Sequence, residues 1–85
     1  METELQQKAR QARAVLESAI VDALEAHPGG LYNNELARLL DLESDYEGRQ
    51  SNYLTYSLLG GLLAQQRVRK EKREGRTYYI KAEAA

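Results

Sequence analysis

Residues 51–81 read SNYLTYSLLGGLLAQQRVRKEKREGRTYYIK, an apolar helical run that passes directly into a strongly basic segment rich in β-formers. On a helical wheel Leu54, Leu58, Leu59 and Leu62 cluster on one side. Arg49, Tyr53, Tyr56 and Ser57 lie on the other, with Gln50 near the edge. A helix is therefore expected from about Arg49 or Gln50 to Gln65. Gly60 and Gly61 inside it each cost about 1 kcal/mol relative to alanine. Either the helix kinks there or another backbone approaches closely. Residues 67–81 then predict a β-hairpin. A two-residue turn at Glu74-Gly75 pairs Val68 with Lys81 and sets Ile80 on the opposite face from Val68. A three-residue turn, Arg73-Glu74-Gly75 with the glycine left-handed, pairs Val68 with Ile80 and Lys70 with Tyr78. Register follows the apolar face, so the three-residue turn is favoured. It directs Val68, Tyr78 and Ile80 to the core and Arg69, Glu71, Thr77 and Tyr79 outward.

Upstream, Leu5, Ala9, Ala12, Leu16, Ala19 and Ala23 are spaced as one helical stripe, widened by Val15, Ile20 and Leu24. No glycine or proline interrupts them, so a long helix is predicted from about Thr3 to Ala26. His27-Pro28-Gly29-Gly30 stops it. Leu31-Tyr32 is too short for an independent strand but able to pair with one. Asn33 or Asn34 is expected to cap a second helix, roughly Asn34 to Leu42, with Leu36, Leu39 and Leu40 as its buried face. Residues 43–48 read as a loop. The chain is thus one domain with its core over about 15–81, an N-terminal helical extension over 1–14 and a loose tail over 82–85. Apart from Met1, only Leu5 and alanines are apolar in that extension. That half is accordingly expected either to fray or to pack on a second copy of the chain, with Leu5, Ala9 and Ala12 as the dimer contact in the favoured second case.

The 85 residues contain no cysteine, so neither a disulfide nor a thiolate metal site supplements a small core. No apolar run approaches the ~18 residues of a membrane span, and the charged start METELQQKAR lacks a secretory signal. A cytoplasmic protein without a membrane partner is the expectation. The net charge is −1, but it is segregated: residues 1–64 hold five basic and ten acidic groups, residues 65–85 seven basic and three acidic. Local density of this kind points to nucleic acid or another acidic surface. Catalysis finds little support. The one histidine, His27, sits in a helix stop. An EF-hand loop starting at Asp41 would need glycine where Tyr46 stands and glutamate where Asn52 stands. No enzyme activity, cofactor or metal is expected.

The stretch GLYNNELARLLDL, with a polar residue before E-L-A-x-x-L, and the run from SNYLTYSLL to the R-x-Y-Y of the hairpin together resemble winged helix-turn-helix proteins. The arsenic-repressor and multiple-antibiotic-resistance repressor families share this layout. The longer connection LESDYEGRQ, followed by Y-L-x-Y-S-x-L-G, is similar instead to winged-helix modules of some bacterial restriction-type endonucleases. The resemblance covers about residues 15–81. It implies a mainly α, α+β fold of three helices and a C-terminal wing, and binding of double-stranded DNA as a small bacterial transcription regulator or a DNA-binding module. The third helix would then offer Arg49, Gln50, Asn52, Tyr53, Tyr56 and Ser57 to the major groove. The wing would offer Arg69, Lys70, Lys72, Arg73 and Arg76 to the backbone or minor groove. Packing of Tyr53 and Tyr56 against the 43–48 loop is an equal alternative. A protein-interaction module working through the acidic helical face is the alternative function.

Overall fold

The computed structural model describes residues 2–44 and 51–83. It contains α1 (Glu2–Ala26), β1 (Leu31–Tyr32), α2 (Asn33–Leu39), α3 (Tyr53–Ala64), β2 (Val68–Arg73) and β3 (Arg76–Lys81). The three strands form one antiparallel sheet in the order β1-β3-β2. Three helices followed by a hairpin, with β1 added to the free side of β3, is a winged helix-turn-helix layout. Among the described residues no helix is long and apolar enough to cross a membrane.

The core forms where the lower half of α1 meets the other elements. Ile20, Ala23 and Leu24 of α1 pack with Leu31, Leu36, Leu58, Leu59, Leu62, Val68 and Tyr79. Two apolar assignments shift by one position. In α2 the buried residues are Leu36 and Ala37, whereas Leu39 is 52% exposed. In α3 the inward stripe is Thr55, Leu58, Leu59 and Leu62, and Leu54 lies on the flank. Threonine occupies the stripe at no polar cost because its Oγ1 donates to the Asn52 carbonyl at 3.0 Å. Residues 3–15 of α1 are exposed, including Val15, which the stripe places with the core.

Both short helices end on a left-handed residue. Asp41 (φ 57°) follows α2, with Leu42 N–H bonded to Ala37 O and Asp41 N–H to Arg38 O. Gln66 (φ 61°) follows α3, with Arg67 N–H bonded to Leu62 O and Gln66 N–H to Leu63 O. These are Schellman closures built without the usual glycine. The glycines sit elsewhere. α3 runs unbroken through Gly60 and Gly61. At Gly61 it is a side chain that comes close, not another backbone: an added Cβ would lie 2.7 Å from an Arg13 Nη. Arg13 there pairs with Glu17 (3.4 Å), whose buried carboxylate also accepts from Gln65 Nε2 at 3.2 Å.

The hairpin register differs from the one the apolar pattern favoured. Glu74 (φ 50°) and Gly75 (φ 82°) form a two-residue turn with both central residues left-handed, pairing Val68 with Lys81 and Lys70 with Tyr79. The expectation assumed that one face of β3 is buried. In fact Tyr79 and Ile80, on opposite faces, are both buried. Tyr79 joins the core, and Ile80 packs behind the sheet against the turn after α1, where Gly30 (φ +96°) leaves room for it. The strand pairing continues past Lys81, since Ala82 N–H donates to Arg67 O at 3.0 Å.

The start of α3 and its link to α2 rest on one residue. Asn52 is left-handed (φ 56°) and 6% exposed. Its Oδ1 accepts from Ser44 N–H (2.8 Å), its N–H donates to Ser44 O (2.6 Å), and its Nδ2 donates to Asn34 Oδ1 (2.8 Å). Its carbonyl accepts from Asn33 Nδ2 at 3.2 Å. Asn33 and Asn34 therefore tie α2 to α3 rather than cap α2. The N-cap is Tyr32, in extended conformation, whose N–H donates to Glu35 Oε1 at 3.1 Å. The helix begins at Tyr53, later than expected, because Asn52 turns the chain out of helical geometry.

Two measurements check this account. Gly60→Ala, which meets nothing within 4 Å, and Gln66→Gly, which relieves a left-handed side chain, should each raise urea-unfolding stability by about 0.5–1 kcal/mol. Gly30→Ala should lower it, because its Cβ would meet Ile80 Cγ1 at 3.0 Å and Tyr79 O at 3.2 Å. Asn52→Ala should cost roughly 2 kcal/mol by stripping partners from Ser44 N–H and Asn34 Oδ1. Asn52→Gly should cost about 1 kcal/mol less than that, because glycine tolerates the same φ. Equal losses for the two variants would show that the backbone conformation carries no strain.

Candidate nucleic-acid interface

Directly paired residues share a face of a sheet and successive residues alternate. The observed register therefore divides the wing cations into two sets. Val68, Lys70 and Lys72 stand on one face with Lys81, Tyr79 and Thr77. Arg69, Glu71 and Arg73 stand on the other with Ile80, Tyr78 and Arg76. The first face is the one that meets α3, since Val68 and Tyr79 pack with Leu58, Leu59 and Leu62.

The arginine face is internally engaged. Arg73 donates from Nη1 to Gly29 O at 2.7 Å and from Nε to Glu71 Oε1 at 3.0 Å, with its guanidinium 4.9 Å above the Tyr78 ring. Arg69 also approaches Glu71, at 3.8 Å. Tyr78 meets Tyr32 edge-on at 5.7 Å, and Arg76 lies over the Tyr32 ring at 4.6 Å. These contacts latch the wing to the body of the domain. Lys70 and Lys72 are exposed.

On α3, Tyr53 and Tyr56 are 57% and 47% exposed, and Ser57 is half-buried. Among the described residues of this helix none is charged. Arg49 and Gln50, the expected base-reading side chains, lie outside the described residues. Asn52, expected beside them, has its amide committed to Ser44 and Asn34 and is buried, so it positions the helix rather than presenting a free edge.

Between α2, α3 and the edge of β3 opens a cleft of about 380 Å³. Tyr32, Asn33, Asn34, Arg38, Tyr56, Arg76, Thr77 and Tyr79 line it. β1 is only two residues long, so the cleft begins where the chain leaves Tyr32 and uncovers the edge of β3. Burial, and secondarily the neighbouring Tyr56, raise the Tyr79 phenol above its ordinary pKa. The Asn33 Oδ1 is buried without a hydrogen-bond partner among the described residues.

Of this cleft, sequence reasoning had singled out Tyr56 and Arg76. It missed Tyr32, Asn33, Asn34, Arg38, Thr77 and Tyr79. The i, i+4 spacing of Asn34 and Arg38 on α2 was available as a signal, whereas Thr77 and Tyr79 depend on the hairpin register. At the other end of the molecule, Leu5, Ala9 and Ala12 are exposed on α1, Leu5 at 68%. No protein-family model matches the chain, and no curated protein or solved structure resembles it significantly.

Proposed function

We propose that this chain binds double-stranded DNA, with the exposed side of α3 in the major groove and the β2–β3 wing along the backbone. One observation carries the reading: Lys70 and Lys72 stand exposed on the wing face that meets α3, beside an uncharged helix surface bearing Tyr53 and Tyr56. A duplex seated on α3 would meet both lysines at its phosphates. Tyrosine and serine hydroxyls on α3 suit phosphates and base edges, and Arg49 and Gln50, just ahead of the helix, have the chemistry for guanine and adenine. The role is that of a small regulator or DNA-binding module of the kind its sequence resembles, not of an enzyme.

The N-terminal half of α1 supports a second element of the proposal, a homodimer. The whole helix is ~37 Å long at 1.5 Å per residue, yet only its C-terminal part reaches the core. A solvated extension carrying Leu5 and Val15, each 68% exposed, is covered economically by a second copy. A symmetric pair would present two α3 helices to successive major-groove turns about 34 Å apart.

Two experiments test these statements. Fluorescence anisotropy with a random-sequence duplex of ~25 base pairs should give micromolar binding whose logarithmic salt slope is roughly −2 to −3 per protomer. Lys70→Glu with Lys72→Glu should abolish it. Unimpaired binding in that variant would sink the wing arrangement. No binding at low salt by the native chain would favour instead a protein partner on the acidic helical face. Sedimentation at tens of micromolar should give about twice the 9.6 kDa chain mass, reverting to the monomer when residues 1–12 are deleted. A native monomer would remove the dimer.

A further inference from the structure

The cleft between α2, α3 and β3 has the chemistry of an anion site. Its lining residues include no carboxylate. Two guanidinium groups enter it from different elements, Arg38 from α2 and Arg76 from β3. Tyr56, Thr77 and Tyr79 add three hydroxyls. Guanidinium and hydroxyl donors in a lining without a carboxylate suit a phosphate oxygen, which arginine grips in bidentate fashion.

Neither arginine is consumed by another partner. Arg38 has one ion pair, to Glu43 at 3.9 Å, between side chains that are 69% and 56% exposed. Such a surface pair contributes little and is readily exchanged. Arg76 has no ion pair among the described residues. It is instead stacked 4.6 Å over Tyr32, which fixes its plane while leaving its donor edges available. Arg73, by contrast, is held by Glu71 and the Gly29 carbonyl.

The position of the cleft points to a polymer rather than a small anion. It is open along the uncovered edge of β3, and Tyr56 belongs both to its wall and to the exposed surface of α3. Lys70 and Lys72 lie on the adjoining strand and on the same face as Tyr79 and Thr77. A strand running from the wing lysines across α3 would pass over this opening. We infer that the cleft seats one phosphodiester of the bound duplex between Arg38 and Arg76, and so fixes the register of α3 on its DNA. This inference rests on the DNA-binding reading.

The test uses the full chain and the same ~25-base-pair duplex. Replacing Arg38 and Arg76 together by glutamine should reduce the steepness of the logarithmic salt slope by about 1, the share of one phosphate. Arg38→Gln alone should produce part of that change with an unaltered thermal unfolding midpoint, since the side chain is 69% exposed. Arg38→Lys should recover much of the lost slope. Duplex binding with an unchanged slope in the double variant would overturn the cleft assignment while leaving DNA binding intact. No duplex binding by the native chain would overturn the DNA reading and this inference with it. A third arm titrates inorganic phosphate and the dinucleotide dTpdT against the native chain, following the Arg side-chain N–H signals by NMR. The dinucleotide should shift the Arg38 and Arg76 signals at lower concentration than inorganic phosphate. The reverse order would identify a free-phosphate site and overturn the assignment.

Discussion

Asn52 is the point on which the working geometry depends. A left-handed residue at the head of α3, buried and bonded on every polar group, sets the direction in which that helix leaves the turn. Through Asn33 and Asn34 it also fixes the first turn of α2 against the first turn of α3. The pair of bonds to Ser44 closes the base of the 44–52 connection. Asparagine suits the place for two reasons: it tolerates positive φ better than most residues, and its amide supplies one donor and one acceptor. The cleft exists because of this arrangement, since Asn34, Arg38 and Tyr56 face one another only when α2 and α3 are held at this angle.

A second constraint comes from the wing. A hairpin with both turn residues left-handed places Lys70 and Lys72 on the α3 side and gathers Arg69, Arg73 and Arg76 behind. Glu71 sits among the arginines and offsets part of their charge, while Tyr78 and Tyr32 give Arg73 and Arg76 aromatic faces to lie on. The rear of the hairpin thereby becomes a fastening, joined to the turn after α1 by the Arg73–Gly29 bond. A domain of this size has little core to spare for anchoring a projecting element. Cation–π and charge-assisted contacts at its surface do that work with side chains that sequence alone would assign to a ligand.

Much of the architecture was legible from local pattern. The uninterrupted α1, the stop at His27-Pro28-Gly29-Gly30 and the helix-to-hairpin order follow from propensity and periodicity. What escaped was decided by contacts between distant segments. The register turned on whether one or both faces of β3 are covered, and Ile80 is covered only because α1 ends in a turn with glycine at position 30. Asn52 read as a base-contacting residue because its position near a helix start is exposed in most arrangements. Its burial follows from Asn33, Asn34 and Ser44, none of which is near it in sequence. Thr55 and Leu54 exchanged places for a local reason that is nevertheless hard to anticipate: the threonine hydroxyl satisfies itself within the first turn of the helix.

These features together separate two tasks that DNA-binding surfaces often combine. The described part of α3 is free of charge, so it contributes neither strong attraction to phosphates nor repulsion between like groups. Under the proposed reading, attraction falls to Lys70 and Lys72 on the wing and to Arg38 and Arg76 around the cleft. An arginine stacked on an aromatic ring accepts a phosphate with less loss of rotamer freedom than a free lysine, whose four-carbon stem must be ordered on contact. Arg76 on Tyr32 is thus suited to fixing position, and the exposed lysines to long-range attraction that weakens as salt screens it. With attraction assigned to these side chains, the proposal leaves the helix surface to judge fit, through Tyr53, Tyr56 and the preceding Arg49 and Gln50.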